Sequence, residues 1–145
     1  MPVAVSAAIL VGLIVVTTAV GLVWRARNGR LREQADDAAA LTPSELGVSL
    51  GDRATLVQFS TAFCAPCRTT RVVLDEVSKL VEGVAHVEID AESHLELVRR
   101  LDIMRTPTVL VLDPRGRIVQ RASGAPRKAE VLAALDALAA SLPSR

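Results

Sequence analysis

The apolar and polar positions divide the chain into two unlike parts. Residues 2–24, "PVAVSAAILVGLIVVTTAVGLVW", contain no charged side chain. At 1.5 Å of rise per residue, roughly 20 apolar residues cross a bilayer core of about 30 Å. No polar face appears, so a buried core helix fits poorly. Ser6, Thr17 and Thr18 can bond back to the helix backbone. A cleaved export signal needs a basic start, a short apolar centre and a small-residue cleavage site. Here only the α-amino group precedes the apolar run, the run is long, and "VWRAR" follows it. The expectation is one transmembrane helix over residues 1–24, with Trp24 as an interfacial anchor.

From residue 41 the pattern changes to short alternating elements. "LTPSELG" carries a helix start, with Thr42 as cap, Pro43 in the first turn, Glu45 closing a capping box and Gly47 as the stop. "ATLVQFS" (54–60) reads as a strand. "CRTTRVVLDEVSKLVEG" places Val73, Val77, Leu80 and Val81 at helical spacing, with Leu74 beside them. "VAHVEID" (84–90) alternates as a strand does. "ESHLELVRRLDI" reads as a helix with Leu95, Val98 and Leu101 on one side. "TVLVLD" (108–113) is a continuous apolar run, hence a buried strand, and "DPRG" turns the chain into "RIVQRAS". The last helix puts Val131, Leu135, Leu138 and Leu142 toward a core. The order α, β, α, β, α, β, β, α implies an α/β domain over 41–145. Its sheet is mixed, of about four strands, with helices on both faces.

Charge adds orientation. Arg25, Arg27, Arg30 and Arg32 crowd the flank after the apolar run. The positive-inside rule then places the domain on the cytoplasmic side, the extracytoplasmic side being the alternative. The same arginines can hold acidic lipid headgroups. Residues 25–40 read as a basic juxtamembrane segment and linker. For the whole chain, Lys+Arg 17 against Asp+Glu 16 gives a net charge of +1, so no nucleic-acid partner is expected. Aromatic residues are only Phe59, Phe63 and Trp24, so the core must be aliphatic and stacking platforms for bases are lacking.

Cys64 and Cys67 are the only cysteines among the 145 residues, so there is no structural disulfide framework. Cys64 follows a strand and opens a helix, where free N–H groups and the positive helix end stabilise a thiolate. Cys67 lies one turn on, and its sulfur can close a disulfide with Cys64. Pro66 is tolerable in a first turn, and Arg68 adds positive charge nearby. A zinc site would need four ligands as a rule, and His86 and His94 lack the usual spacing. Two inert buried thiols have no reason to sit at a helix N-terminus. Thr106-Pro107 opens the buried strand at 108, a place where proline is tolerated.

A strand, a Cys-x-Pro-Cys helix, a β-α-β unit, a Thr-Pro before a hairpin and a final helix together resemble the thioredoxin family over residues 41–145. "FCAPC" is similar to the family's Trp-Cys-Gly-Pro-Cys. The resemblance implies a thioredoxin-like fold and a cis Pro107 packed against the cysteines. It implies that Cys64 attacks a substrate disulfide and that Cys67 resolves the mixed disulfide. The backbone at Thr106 would meet the substrate chain, Gly124 would lie near the groove, Phe63 and Pro66 would form its rim, and Ala65 would support the site between the cysteines. Partners would be disulfide-containing proteins, and a donor of the thioredoxin-reductase type or a transmembrane thiol carrier. No cofactor or metal is implied. Phe63 stands for the family's Trp and Ala65 for its Gly. Gln58 stands where the family buries an aspartate, and His86 where it has a lysine. Val72 replaces a helix-kinking proline, and only "GVSL" is available for the family's first strand. Gln cannot exchange a proton, so Cys67 would need water or another base, and His86 is a candidate. The expected activity is membrane-anchored thiol-disulfide exchange, the rival being a redox-inactive binding module.

Overall fold

The computed structural model describes residues 2–33 and 40–141. The apolar run forms α1 (Pro2–Arg27), 26 residues long. At 1.5 Å per residue that is about 39 Å. Its side chains from Val3 onward are exposed. Its length and composition are those of a membrane span, and an export signal shares them.

After α1 the chain turns back on itself. The amide of Asn28 donates to the carbonyl of Trp24, and Gly29 follows with φ +78°. Any Cβ at Gly29 would lie 2.2 Å from the carbonyl oxygen of Ala125, so the turn requires glycine. The reversal lays β1 (Arg32–Glu33) antiparallel to β5 (Ile118–Ser123), with Arg32 opposite Arg121. The sheet therefore has five strands where about four were expected. The additional strand comes from the segment expected as a linker. Two residues are too short to show a period-2 pattern, so nothing in this polar stretch marks them.

The strand order is β1-β5-β4-β2-β3. β2 (Ala54–Ser60) pairs parallel with β3 (Val84–Asp90) and antiparallel with β4 (Thr108–Leu112). β4 pairs antiparallel with β5. All seven residues of β2 are buried, as a strand covered on both faces demands. Alternate side chains feed two cores. Val57, Phe59, Leu110 and Leu112 pack with Leu46 and Leu97, from α2 (Pro43–Leu46) and α4 (Leu95–Arg100). Leu56, Val109 and Val111 pack with Leu74 and Leu135, from α3 (Ala65–Leu80) and α5 (Lys128–Ser141). "GVSL" forms no strand. Gly47, in the left-handed conformation, ends α2, and Thr42 and Glu45 make the expected capping box.

Two inward faces differ from expectation. In α3 the buried stripe is Cys67, Thr70, Leu74 and Val77, and Leu80 falls one position off it and is exposed. In α4 the inward positions are Leu97, Val98 and Leu101, while Leu95 is exposed. The helix begins only at Leu95, so its first residue stands outside the stripe. Val131, Leu135 and Leu138 of α5 are buried as expected, and Leu142 lies outside the described residues.

Candidate active site

β2 ends at Ser60, and four residues later Cys64 caps α3. Cys64 is extended, with φ −109° and ψ 96°, and its Sγ accepts the N–H of Cys67 at 3.2 Å. A sulfur thus fills the N-cap role that a hydroxyl or carboxylate oxygen usually takes. Pro66 sits in the first turn, where its missing N–H leaves no carbonyl unsatisfied. Cys64 and Cys67 are joined in a disulfide with Cα atoms 5.2 Å apart. Cys64 is 8% exposed and Cys67 2%, so Cys64 is the more accessible residue of the two. Around them Ala65 and Pro66 are exposed, and Phe63 is wholly so.

The second wall is the turn into β4. The Thr106-Pro107 bond is cis. Thr106 Oγ1 lies 3.2 Å from Thr61 Oγ1, which ties this turn to the loop before Cys64. The amide of Gly124 donates to the carbonyl of Pro107 at 2.7 Å. Gly124 has φ +113°, and a Cβ there would lie 2.6 Å from Asn28 Oδ1 and 3.0 Å from the amide nitrogen of Gly29. The residue after β5 is thus wedged between the proline turn and the end of the apolar helix.

Gln58 is fully buried beneath the helix start. Its Nε2 donates to the carbonyl of Cys67 and to Ser60 Oγ, both at 2.8 Å. Its Oε1 is buried without a hydrogen-bond partner among the described residues. His86 makes no bond to Gln58. Its Nδ1 meets Asp75 Oδ1 of α3 at 2.5 Å, and its Nε2 is buried without a hydrogen-bond partner among the described residues. His94 turns Nδ1 to the carbonyl of Asp90, so the two histidines serve separate places. Arg71 clamps Glu88 across α3 and β3, and its guanidinium holds the Glu88 carboxyl below the usual range.

The expected residues therefore fall into three linked groups. Phe63, Cys64, Ala65, Pro66 and Cys67 are contiguous, Gly124 donates to the Pro107 carbonyl while Thr106 bonds Thr61, and Gln58 donates to the Cys67 carbonyl. Thr61, Ser60, Asn28 and Gly29 were not singled out from sequence as parts of this site. Their roles rest on long-range pairing, which no local pattern reveals.

A cysteine pair at a helix start, with the loop before it bonded to the cis-proline turn of a mixed sheet, is suited to thiol-disulfide exchange. A family model for thioredoxin matches residues 39–137. The chain belongs to the thioredoxin family. Thioredoxin from Alicyclobacillus acidocaldarius is 33% identical over 86 residues, 59% of this chain and 81% of that protein. Human thioredoxin domain-containing protein 2 is 41% identical over 58 residues, 40% of this chain and 10% of that protein. The match to mouse thioredoxin domain-containing protein 8 covers half of that relative. Among solved structures, a mutant thioredoxin from Halobacterium salinarum superposes with a TM-score of 0.57 at 17% identity. It covers 63% of this chain and 80% of that one, a likeness of fold alone.

Proposed function

We propose that this thioredoxin-family chain is a membrane-anchored thiol-disulfide oxidoreductase that reduces or exchanges protein disulfides. The observation that carries the reading is Cys64 Sγ at the cap of α3, accepting the N–H of Cys67 at 3.2 Å. The reduced Cys64 thiolate is stabilised by that N–H and by the helix end. It attacks one sulfur of a substrate disulfide. A Cys64–substrate bond forms, and the second substrate sulfur leaves as a thiolate. Cys67, deprotonated in turn, attacks Cys64 Sγ and releases the first substrate sulfur. Two electrons have then passed to the substrate, and the Cys64–Cys67 disulfide remains. A thiol-donating partner protein returns the pair to the dithiol. Pro107 and Thr106 shape the groove, and Phe63, Ala65 and Pro66 form its apolar rim.

Replacing Cys64 by Ser abolishes reduction of a small protein disulfide, and unchanged activity overturns the reading. Cys67→Ser traps mixed disulfides, recovered by pull-down under non-reducing conditions. Gln58 favours a second reading, a binding module without a redox cycle, because it cannot take a proton from Cys67. Failure of the purified chain to interconvert dithiol and disulfide forms would select that reading.

In this reading α1 is the anchor, and the arginines after it favour a domain on the cytoplasmic side. In the Cys64→Ser, Cys67→Ser background, Ser144→Cys gives a single reactive thiol. Labelling by an impermeant maleimide only after permeabilisation is the expected result. Labelling in intact cells moves the domain outside, and extraction of the chain by carbonate removes the anchor.

A further inference from the structure

Away from the cysteines, a cleft of about 540 Å³ opens between the end of α1 and the β1–β5 side of the sheet. Its walls come from two distant parts of the sequence. Trp24, Arg27, Arg30 and Arg32 line one side, and Arg105 and Arg121 line the other. Glu33 is the only acidic side chain in the lining. Among the described residues, none of the five guanidinium groups forms an ion pair. Arg105 and Arg121 donate only to the backbone carbonyls of Ser123 and Leu101. Arg121 Nε is buried with no hydrogen-bond partner among the described residues.

This arrangement works against stability unless something negative enters. Arg32 and Arg121 stand directly opposite each other across the β1–β5 ladder. Like charges in that relation destabilise a strand pair. A buried donor left unpaired is costly as well. One anion lying among the guanidinium groups relieves the like-charge opposition, and guanidinium is the side chain suited to bidentate phosphate contacts.

We propose that the cleft is a phosphate-binding site, filled by the negatively charged phosphate of an acidic lipid headgroup or of a soluble phosphate compound. The lipid source rests on reading α1 as a membrane anchor; the site itself does not. With α1 in a bilayer, Trp24 sets the cleft at headgroup depth. The proposal differs from simple attraction by a basic flank. A flank counts Arg25 as much as Arg32 and ignores Arg105, whereas the cleft includes Arg105 and leaves Arg25 out of its lining.

Trp24 is the chain's only tryptophan, so intrinsic fluorescence reports from the cleft. The full-length protein in phosphatidylcholine nanodiscs is titrated with inorganic phosphate at constant ionic strength. In a second arm, phosphate is omitted and the share of phosphatidylglycerol is raised. A saturable change is expected in at least one arm. Arg105→Gln weakens it by about tenfold or more, and Arg25→Gln leaves it within about twofold. Arg30→Gln, at an exposed position with no hydrogen bond to another described residue, repeats the test should Arg105→Gln disturb folding. A response to phosphatidylglycerol alone identifies the lipid. A response to inorganic phosphate alone keeps the site and sets the lipid aside, whatever becomes of the anchor. No saturable response in either arm, or equal weakening by Arg25→Gln and the cleft variants, overturns the proposal.

Discussion

The amide of Gly29, just past the apolar helix, donates to the carbonyl of Ser123 at 3.0 Å. The next residue, Gly124, donates its own amide to the carbonyl of Pro107 at 2.7 Å. The end of α1 and the cis-proline turn before β4 are therefore joined through two adjacent residues of one strand end. The position of the helix end and that of the proline turn are coupled by main-chain bonds.

Gly29→Ala tests that coupling. A side chain at φ +78° is strained, and its Cβ meets the carbonyl oxygen of Ala125. The substitution should destabilise the β1–β5 pairing by about 1 kcal/mol or more. Hydrogen exchange at the amides of β5 should quicken accordingly. Unchanged exchange there would mean that the turn does not hold the strand.

Gln58→Asp introduces a carboxyl into a fully buried place. Burial disfavours its charged form and raises its pKa. An acid whose pKa is higher folded than unfolded loses stability as the pH rises above its unfolded value of about 4. The variant should therefore resist urea better at pH 5 than at pH 8. Its rate of dithiol oxidation should gain an inflection with pH that the parent protein lacks. Identical pH profiles for the two proteins would show that position 58 is not coupled to Cys67.

Phe63→Ala removes an aromatic side chain that is 100% exposed. Stability should change by less than about 0.5 kcal/mol, because nothing packs against the ring. KM for a protein disulfide should rise about tenfold, with small-molecule disulfides unaffected. An equal effect on both substrate types would remove Phe63 from the docking rim.

Glu45 joins two helices. It caps α2 through Thr42 and pairs with Arg100 of α4. Arg100, and then the amide of Thr42, lower its pKa from 4.5 to about 2. Such a carboxyl lends stability above pH 4.5 and loses it as the pH falls toward 2. Glu45→Gln should cost about 1 kcal/mol at neutral pH and flatten the acid limb of the stability curve over that window. An unchanged acid limb would assign the limb to other carboxylates.

The sequence showed most of the scaffold because its signals are local. The β2 and β4 runs are apolar enough to mark strands covered on both faces, β3 alternates as a half-covered edge strand does, and Cys64-Ala65-Pro66-Cys67 at a helix start announces its chemistry. The Thr42–Glu45 capping box was legible for the same reason. What was missed depends on partners far along the chain. Arg32–Glu33 becomes a strand only because Gly29 turns the chain toward β5. Leu80 and Leu95 sit at helix ends, where one residue of phase decides burial. His86 has Asp75 as its partner through the packing of α3 on β3, a contact eleven positions away in sequence.

The antiparallel pairing of Glu33 with Gln120 has a further consequence for reach. The chain is already fastened to the sheet at residue 33, and it is fastened again at Leu41, whose amide donates to Gly116. The stretch between begins and ends on the same body. Lengthening it with glycine and serine adds slack without letting the cysteines travel farther from the apolar helix. For the proposed exchange reaction, their radius of search is then set by the few residues around Gly29, and a disulfide beyond that radius must be brought to them.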